Sequence, residues 1–541
     1  MENKEKCHFP ARALPPQKSD ADLGIARAAG ILALGNVTSR VMGLGREMII
    51  AHFFGATGLV SAFRVASIIP TMIYELLIGG MLSAALVPVL SEYAASERRE
   101  ELGRVVGVVL TTFGLALGIT VLLIEFLAPY AAWLLGGGFT PELREVTTLL
   151  IRLVIPAVLI FGSSGIITGL LYSLKRFTAP AFGAAVYNLG IILAAPLLAK
   201  YLGIRSLAVG VLLGASLQLL IQLPSLKDIS IRPSLNLSHP ALRRIFLLYL
   251  PIAAGLVISQ VQITIDRNLA SRTGPSSIAW MANATTLIQF PHGLIAVAIS
   301  TAILPSLSAY AAAMSNPGHE EEFISTLALG IRMVLTAVLP ATVGLFVLSY
   351  PIVALIFEHG RFTSYDTTWT VLALRLYLIG LVFASVDWPL NYAFYARKDT
   401  LTPALVGVLS VLVYLAAALT LIGPLGMAGL VLADSIKHIS HATTMLVLFH
   451  RRIGSLRGQR VVVTAFKSLL ASLAMGAVVW GVLTVVGQYA PVSSLLGRMM
   501  SVLVGGATGL GIYLLLAYFL RLEEVQLMAR SIWGRFQMGR R

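Results

Sequence analysis

Charge is scarce in this sequence. Only 12% of its 541 residues are Asp, Glu, Lys or Arg, against about a quarter in soluble domains. Hydrophobic residues make up 57%, and the mean hydropathy is +0.84. Such a chain has too little polar surface to clothe a soluble fold, so hydropathy overrides a length that would suit several soluble domains. Acid is the scarcer sign, with 25 acidic residues against 40 basic ones and a net charge of +15. No basic run is interleaved with aromatics as a nucleic-acid surface requires, which excludes that use of the excess. Cysteine is almost absent. Cys7 is the only one, so neither an intrachain disulfide nor a cysteine metal site can form. There is no Walker phosphate loop, which excludes ATP hydrolysis by that route. Nothing in the sequence resembles an enzyme centre, and no cofactor or metal is expected.

What is present is a series of long apolar runs. A bilayer core about 30 Å thick takes about 20 apolar residues per helix. The runs predict an all-α membrane protein with about fourteen spans. The first six lie near 24–53, 59–90, 104–134, 143–172, 177–201 and 204–223. Six more lie near 243–270, 277–312, 323–348, 365–395, 401–422 and 425–449, and a last pair near 461–487 and 495–520. Residues 1–22, with Pro10, Pro15 and Pro16 among scattered charges, read as a disordered tail and not as a cleavable signal. Basic residues gather in alternate loops, among them Arg98, Arg99, Lys175, Arg176, Arg243, Arg244, Arg397, Lys398, Arg451 and Arg452, and in the C-terminal tail. The positive-inside rule then puts both termini in the cytoplasm.

The sequence repeats itself. Val87-Pro88-Val89-Leu90-Ser91-Glu92-Tyr93 is echoed by Leu304-Pro305-Ser306-Leu307-Ser308-Ala309-Tyr310, about 217 positions on. At a shift of about 223, Phe139-Thr140 pairs with Phe362-Thr363, Arg152 with Arg375, Lys175 with Lys398, and Pro180-Ala181 with Pro403-Ala404. An even number of spans per half means that both halves cross the membrane in the same sense. This is the parallel repeat of many secondary transporters, with a cargo site between the halves near mid-membrane. The division expected is a cytoplasmic tail (1–22), an N-terminal lobe (23–226), a C-terminal lobe (227–455), an extra helix pair (456–520) and a basic cytoplasmic tail (521–541). Gly79-Gly80 and Phe290-Pro291-His292-Gly293 interrupt their spans. Broken backbone survives in a bilayer where protein or a watery cavity satisfies it, though a plain kink is the alternative. Gly505 and Gly509 read as a helix-packing pair.

Ionisable residues inside spans are the functional candidates. Arg40, Arg46 and Arg64 sit in the first two spans, with Glu75 following. An arginine at a bilayer-helix centre costs roughly 2.5–3.5 kcal/mol on insertion scales. These side chains therefore line a watery cavity for an anionic cargo, or snorkel, or pair with Glu47 and Glu75. Asp266-Arg267, Asp387 and Asp434 are further intramembrane candidates, for the cavity or for coupling, with an ion pair near the outer end of the seventh span as the alternative for Asp266 and Arg267. Asp434 can neutralise itself with Lys437 at i, i+3. His438 and His441 share that helix, where a structural role is preferred over a metal site.

Several ordered blocks resemble those of a known family. Ser39-Arg40-Val41-Met42-Gly43-Leu44-Gly45-Arg46-Glu47 with Phe53-Phe54-Gly55-Ala56 resembles the first-helix signature of the MurJ/MviN lipid II flippases. Ala85 to Tyr93, Phe290-Pro291-x-Gly293 with Leu304 to Ser308, and Phe394 to Pro403 do so too, and the likeness covers nearly the whole chain. The resemblance implies the fold of the multidrug/oligosaccharidyl-lipid/polysaccharide exporter superfamily: two six-helix lobes and two C-terminal helices that help form a groove for a lipid tail. It also implies transport of undecaprenyl-pyrophosphate-linked cell-wall precursor between leaflets of the bacterial plasma membrane. Arg46 and Arg40 match the arginines of the first-helix motif. Elsewhere the chain departs from the pattern. Tyr74 stands for the second-helix arginine, Ser61 for the acid opening that helix, Gly79 for a later glutamate, and Thr285 and Thr286 for an Asp-Arg pair. Arg64 and Arg267 are the nearby substitutes, so Arg46, Arg64 and Arg267, with Arg40, are expected to hold the pyrophosphate, whose oxygens suit guanidinium forks. A flippase for another polyprenyl-linked glycan, a drug exporter and a non-transporting membrane scaffold are the alternatives.

Overall fold

The computed structural model describes residues 20–76, 85–94, 98–313 and 318–527, and all regular structure among them is helical. The first half contributes α1 (Asp20–Phe54), α2 (Gly58–Tyr74), α3 (Val87–Glu92), α4 (Arg99–Leu135), α5 (Pro141–Val154), α6 (Ala157–Ser173), α7 (Thr178–Leu202) and α8 (Arg205–Leu220). The second half contributes α9 (Pro240–Arg272), α10 (Ser277–Pro291), α11 (Val297–Ala312), α12 (His319–Val347), α13 (Ser349–Phe357), α14 (Ser364–Ala396), α15 (Leu401–Leu425) and α16 (Met427–Arg452). The chain ends in α17 (Val461–Tyr489) and α18 (Leu495–Phe519).

Among the described residues, nine helices are long and apolar enough to cross a membrane, and the bent pair α5–α6 makes ten. The protein is a multi-pass membrane protein. α1, α9 and α16 are as long but carry more charge inside, and each supplies charged residues to the cavities between the lobes. Some helices begin before the apolar runs do. α4 starts at Arg99 because Glu100 and Glu101 in its first turn suit the positive end of the helix dipole. α5 and α6 divide one expected span, since Pro156 has no N–H to continue the ladder. The equivalent position in the second half is Ile379, and α14 runs through unbroken. Gly79-Gly80 lies outside the described residues, as do residues 1–19 of the N-terminal tail and 528–541 of the C-terminal one.

The repeat is written into the backbone. Lys175 and Lys398 both take positive φ, at 60° and 62°. Gly203 and Gly426 close α7 and α15 with φ of 53° and 56°. Thr140 and Thr363 cap α5 and α14 through side-chain oxygens that accept from Leu143 N and Asp366 N.

Because lipid is as apolar as the helices, association rests on close packing, and small residues permit it. A Cβ on Gly190 would strike the backbone of Gly214, so α7 and α8 touch main chain to main chain. The two lobes meet where α1 ends. There Arg361 N donates to His52 O at 2.9 Å, Gly138 N to Ser271 Oγ at 2.9 Å and Asn268 Nδ2 to Leu134 O at 2.7 Å. At the other end, α9 leans on the first lobe, burying Ile245 and Tyr249 against Leu90, Leu102 and Val106. Arg498–Glu358 ties α18 to the end of α13 at 2.5 Å, and Arg332–Glu524 ties the segment after α18 to α12 at 2.9 Å. Gly505 and Gly509 face Leu348, Val479 and Met475, which makes them packing residues as expected.

Candidate cargo site between the lobes

The site starts from one buried carboxylate. Glu47 on α1 is 1% exposed, and a charge so placed survives only if it is paired and hydrogen-bonded. Arg46, its neighbour in sequence, donates from Nη2 at 2.6 Å and from Nε at 3.1 Å. Arg64 on α2 donates to both oxygens, with Nη1 to Oε1 at 3.0 Å and Nη2 to Oε2. Arg46 also reaches Asn188 Oδ1 on α7 at 3.0 Å, and Asn188 Nδ2 returns to Ser39 O at 3.2 Å. Two guanidiniums on one carboxylate leave a net positive charge. It faces a polar cavity of about 300 Å³ lined by Arg40, Arg46 and Asn188 from the first lobe and by Thr286, Gln289 and Phe290 from the second.

The second lobe meets this cavity through a wide turn. Residues His292–Ala296 form a π-helical turn between α10 and α11, so Pro291 and Gly293 mark a real break in the ladder. Arg40 Nη1 donates to Gln289 O at 2.9 Å. The Arg40 guanidinium lies flat on Gly293, in the space that a side chain there would fill. Two smaller cavities adjoin, each lined by Thr285, Tyr377 and Asp434. The one of about 230 Å³ adds His292 and His438, and the one of about 210 Å³ adds Asp266, Arg267 and Lys437.

The sequence-predicted residues therefore separate into three groups. Arg40, Arg46 and Thr286 share the central cavity, with Arg64 behind Arg46. Arg267 lines the adjoining one, near enough to Arg64 for the two cations to repel. Asp266 turns to the Tyr414 hydroxyl, which donates to it at 2.5 Å, and no Asp266–Arg267 ion pair occurs among the described residues. Asp434 holds Lys437 at 2.5 Å, while Asp387 faces His441. Glu75 stands apart. It is exposed and, among the described residues, accepts only from Gln260 Nε2, at 3.3 Å, so of the two carboxylates weighed as arginine partners Glu47 is the one used there. Asn188, Gln289, His292 and Tyr414 were not singled out as site residues in sequence. Their signal was weak, a polar side chain inside an apolar run, but His292 lies within the Pro-Gly interruption.

Two other clefts lie away from the arginines. A groove of about 1090 Å³ runs beside Ala28, Phe177 and Lys227, where Arg176 is tied to Asp228 at 2.6 Å. An apolar groove of about 460 Å³ lies between α12, α17 and α18, lined by Pro340, Met475, Gly509 and Tyr513.

Comparison with known proteins agrees with this architecture. Residues 50–500 match the family model described as lipid II flippase MurJ. The lipid II flippase MurJ of Burkholderia cenocepacia is 30% identical over 405 residues, 73% of this chain and 78% of that protein. A solved structure titled lipid II flippase MurJ, inward closed conformation, superposes with a TM-score of 0.76 at 25% identity, covering 91% of this chain and 98% of the other. An inward-facing multidrug resistance MATE family transporter of the MOP superfamily shares the fold, with a TM-score of 0.64 at 15% identity over 77% of this chain and 94% of its own. With two repeated lobes around a cationic cavity and a family match spanning most of its length, the chain belongs to the MurJ lipid II flippase family.

Proposed function

We propose that this protein flips lipid II, carrying undecaprenyl-pyrophosphate-linked muropeptide from the cytoplasmic to the outer leaflet of the bacterial inner membrane by alternating access. The observation that carries the reading is the arginine cluster around Glu47, which faces a cavity between two lobes of this family's fold. A diphosphate is the cargo group that this cluster suits. Arg46 and Arg40 present N–H donors to the cavity, while Arg64 and Arg267 add positive potential from behind and beside it. Glu47 holds the guanidiniums in place while the cavity is empty, and it keeps their repulsion from unfolding the site. Thr286 and Gln289 offer polar contacts to the glycan side. The prenyl tail stays in lipid, along the apolar groove of α12, α17 and α18.

The lobes are taken as residues 23–226 and 227–455, with 456–520 as the tail-groove pair, and both termini are cytoplasmic as the basic loops imply. Closure at the end of α1 seals the outer side in this conformation, and rocking about the lobe interface exchanges access. The protein makes and breaks no covalent bond in this cycle. The driving force is an ion gradient or the membrane potential, worth about 2.3 kcal/mol per charge per 100 mV.

The test is complementation of a bacterium depleted of its own lipid II flippase. The parent is expected to restore growth, and Arg46→Ala, Arg64→Ala and Arg267→Ala to lose it at equal expression. Failure of a well-expressed parent would move the cargo to another polyprenyl-linked glycan, which Tyr74, Thr285 and Thr286 at the family's charged positions would then explain. Growth restored by all three variants would remove the arginines from the head-group site.

A further inference from the structure

The second lobe holds a set of ionisable groups that the arginine site does not use. α16 carries Asp434, Lys437, His438 and His441 along one helix face, at i, i+3, i+4 and i+7. Asp387 projects from α14 and is 7% exposed. His441 Nδ1 stands 3.0 Å from Asp387 Oδ1. The approach is off the direction of a hydrogen bond, and neither buried atom has a hydrogen-bond partner among the described residues.

The surroundings decide what this pair can do. Asp434 already has the Lys437 ammonium at 2.5 Å, with His438 Nε2 at 3.7 Å. From α9, Asp266 and Arg267 share a cavity with Asp434 and Lys437, and α15 supplies Tyr414 to Asp266. From the π turn, His292 accepts from Trp388 Nε1 at 3.0 Å and lies 3.4 Å from Ser385 Oγ. Tyr377 of α14 lines both adjoining cavities, and Arg40 of the first lobe sits across Gly293 from His292, in the cargo cavity. Within the second lobe three carboxylates thus face two permanent cations. With neutral imidazoles this cluster carries one excess negative charge, a costly state inside the membrane. One proton on the Asp387–His441 pair cancels it, and imidazole is the side chain built to take one near neutral pH. Asp387 also adjoins Trp388, whose indole holds His292 at the wall of the adjoining cavity of about 230 Å³, so the pair and that cavity share one helix.

We propose that Asp387 and His441 form a proton-binding site whose occupancy drives the movement of the second lobe. A proton enters from one aqueous side, is held between His441 Nδ1 and Asp387 Oδ1, and leaves to the other side, with no other bond changed. The coupling rests on the transport reading above, whereas the proton site itself does not.

Two measurements decide it. First, purified full-length protein is titrated between about pH 5 and 8 and followed by infrared difference spectroscopy in H2O and D2O. A titrating carboxyl or imidazole signal is expected in the parent, kept in Asp387→Glu and lost in Asp387→Asn and His441→Gln. A titration unchanged in both loss variants overturns the site. Second, lipid II translocation is measured in proteoliposomes with the membrane potential clamped. A pH gradient of the productive sign is expected to accelerate the parent several-fold, and the ratio of rates with and without the gradient to fall to one in Asp387→Asn. A parent indifferent to gradients of either sign overturns the coupling. If the folded parent translocates no lipid II under any condition, the flippase reading fails, and the infrared titration still decides the proton site.

Discussion

Glu47→Gln is the substitution that most directly probes the electrostatics of the arginine site. It conserves shape and removes one charge from a carboxylate that is 1% exposed and takes hydrogen bonds from two guanidiniums. At an effective dielectric constant of about 20, one carboxylate–guanidinium contact near 4 Å amounts to about 4 kcal/mol. The variant forfeits two such attractions and leaves Arg46 and Arg64 repelling each other. Their side chains keep 25% and 16% exposure, so water screens part of the loss. The expected cost lies near the lower end of the range for breaking a buried pair, about 3 kcal/mol. Unfolding of purified protein in mixed micelles by added SDS measures it. Arg64→Met, which leaves the Arg46–Glu47 pair intact, should cost only about 1–2 kcal/mol, in line with one hydrogen-bonded charge. Combined with Glu47→Gln it removes the orphaned cation, so the double variant should fall short of the additive loss by at least about 1 kcal/mol. A Glu47→Gln variant within about 0.5 kcal/mol of the parent, or strict additivity in the cycle, would refute the view that this carboxylate organises the arginines.

Gly293→Val places a branched side chain where the Arg40 guanidinium lies; complementation should fail at unchanged expression, and Gly293→Ala should be milder. Gly190→Leu drives α7 from Gly214, with an expected loss of about 1–3 kcal/mol for overpacking, read by the same SDS titration. Arg498→Met leaves Glu358 buried without its cation, the pair being 9% and 16% exposed. It should loosen α18 and raise proteolysis of the C-terminal helices, at a cost of about 3–5 kcal/mol. At the α14–α15 turn, desolvation pushes the Asp399 carboxyl up, but Thr402 N and Oγ1 donate to it at 2.9 and 2.7 Å and Arg452 lies near, so its pKa is held below the usual carboxylate value. Its contribution is therefore present above the unfolded pKa of about 3.9 and is lost as pH falls through the lower folded value. Acid denaturation of the parent and Asp399→Asn should differ at neutral pH and converge at the acid end.

Much of this protein is readable along its chain, for local reasons. A helix in a bilayer satisfies its backbone within itself, so apolar length alone announces the spans, and among the described residues helices lie in the expected stretches, the fourth of them divided between α5 and α6. Repeat spacing works in the same way. The left-handed turns at Lys175 and Lys398 and the threonine caps of α5 and α14 are local conformations that equal residues reproduce. The Pro-Gly interruption signals the π turn, because proline removes a donor wherever it lies. The first-helix arginines stand out by their cost.

Long-range partnership was not readable, because it joins residues far apart in sequence, whereas a local pair such as Asp434–Lys437 was. That Glu47 rather than Glu75 takes Arg46 and Arg64 depends on how α2 lies against α1, and Glu75 instead faces Gln260 of α9. Asp266 turns to Tyr414 rather than to its neighbour Arg267 because α15 packs against α9 there and supplies the hydroxyl. Arg40 rests on Gly293 because two lobes meet there. The sequence by itself determined the membrane class, the repeat and which charges the bilayer must tolerate. Only the packing of helices decided which of those charges neutralise one another, because Coulomb energy in a low-dielectric interior depends on distances that the order of residues does not specify.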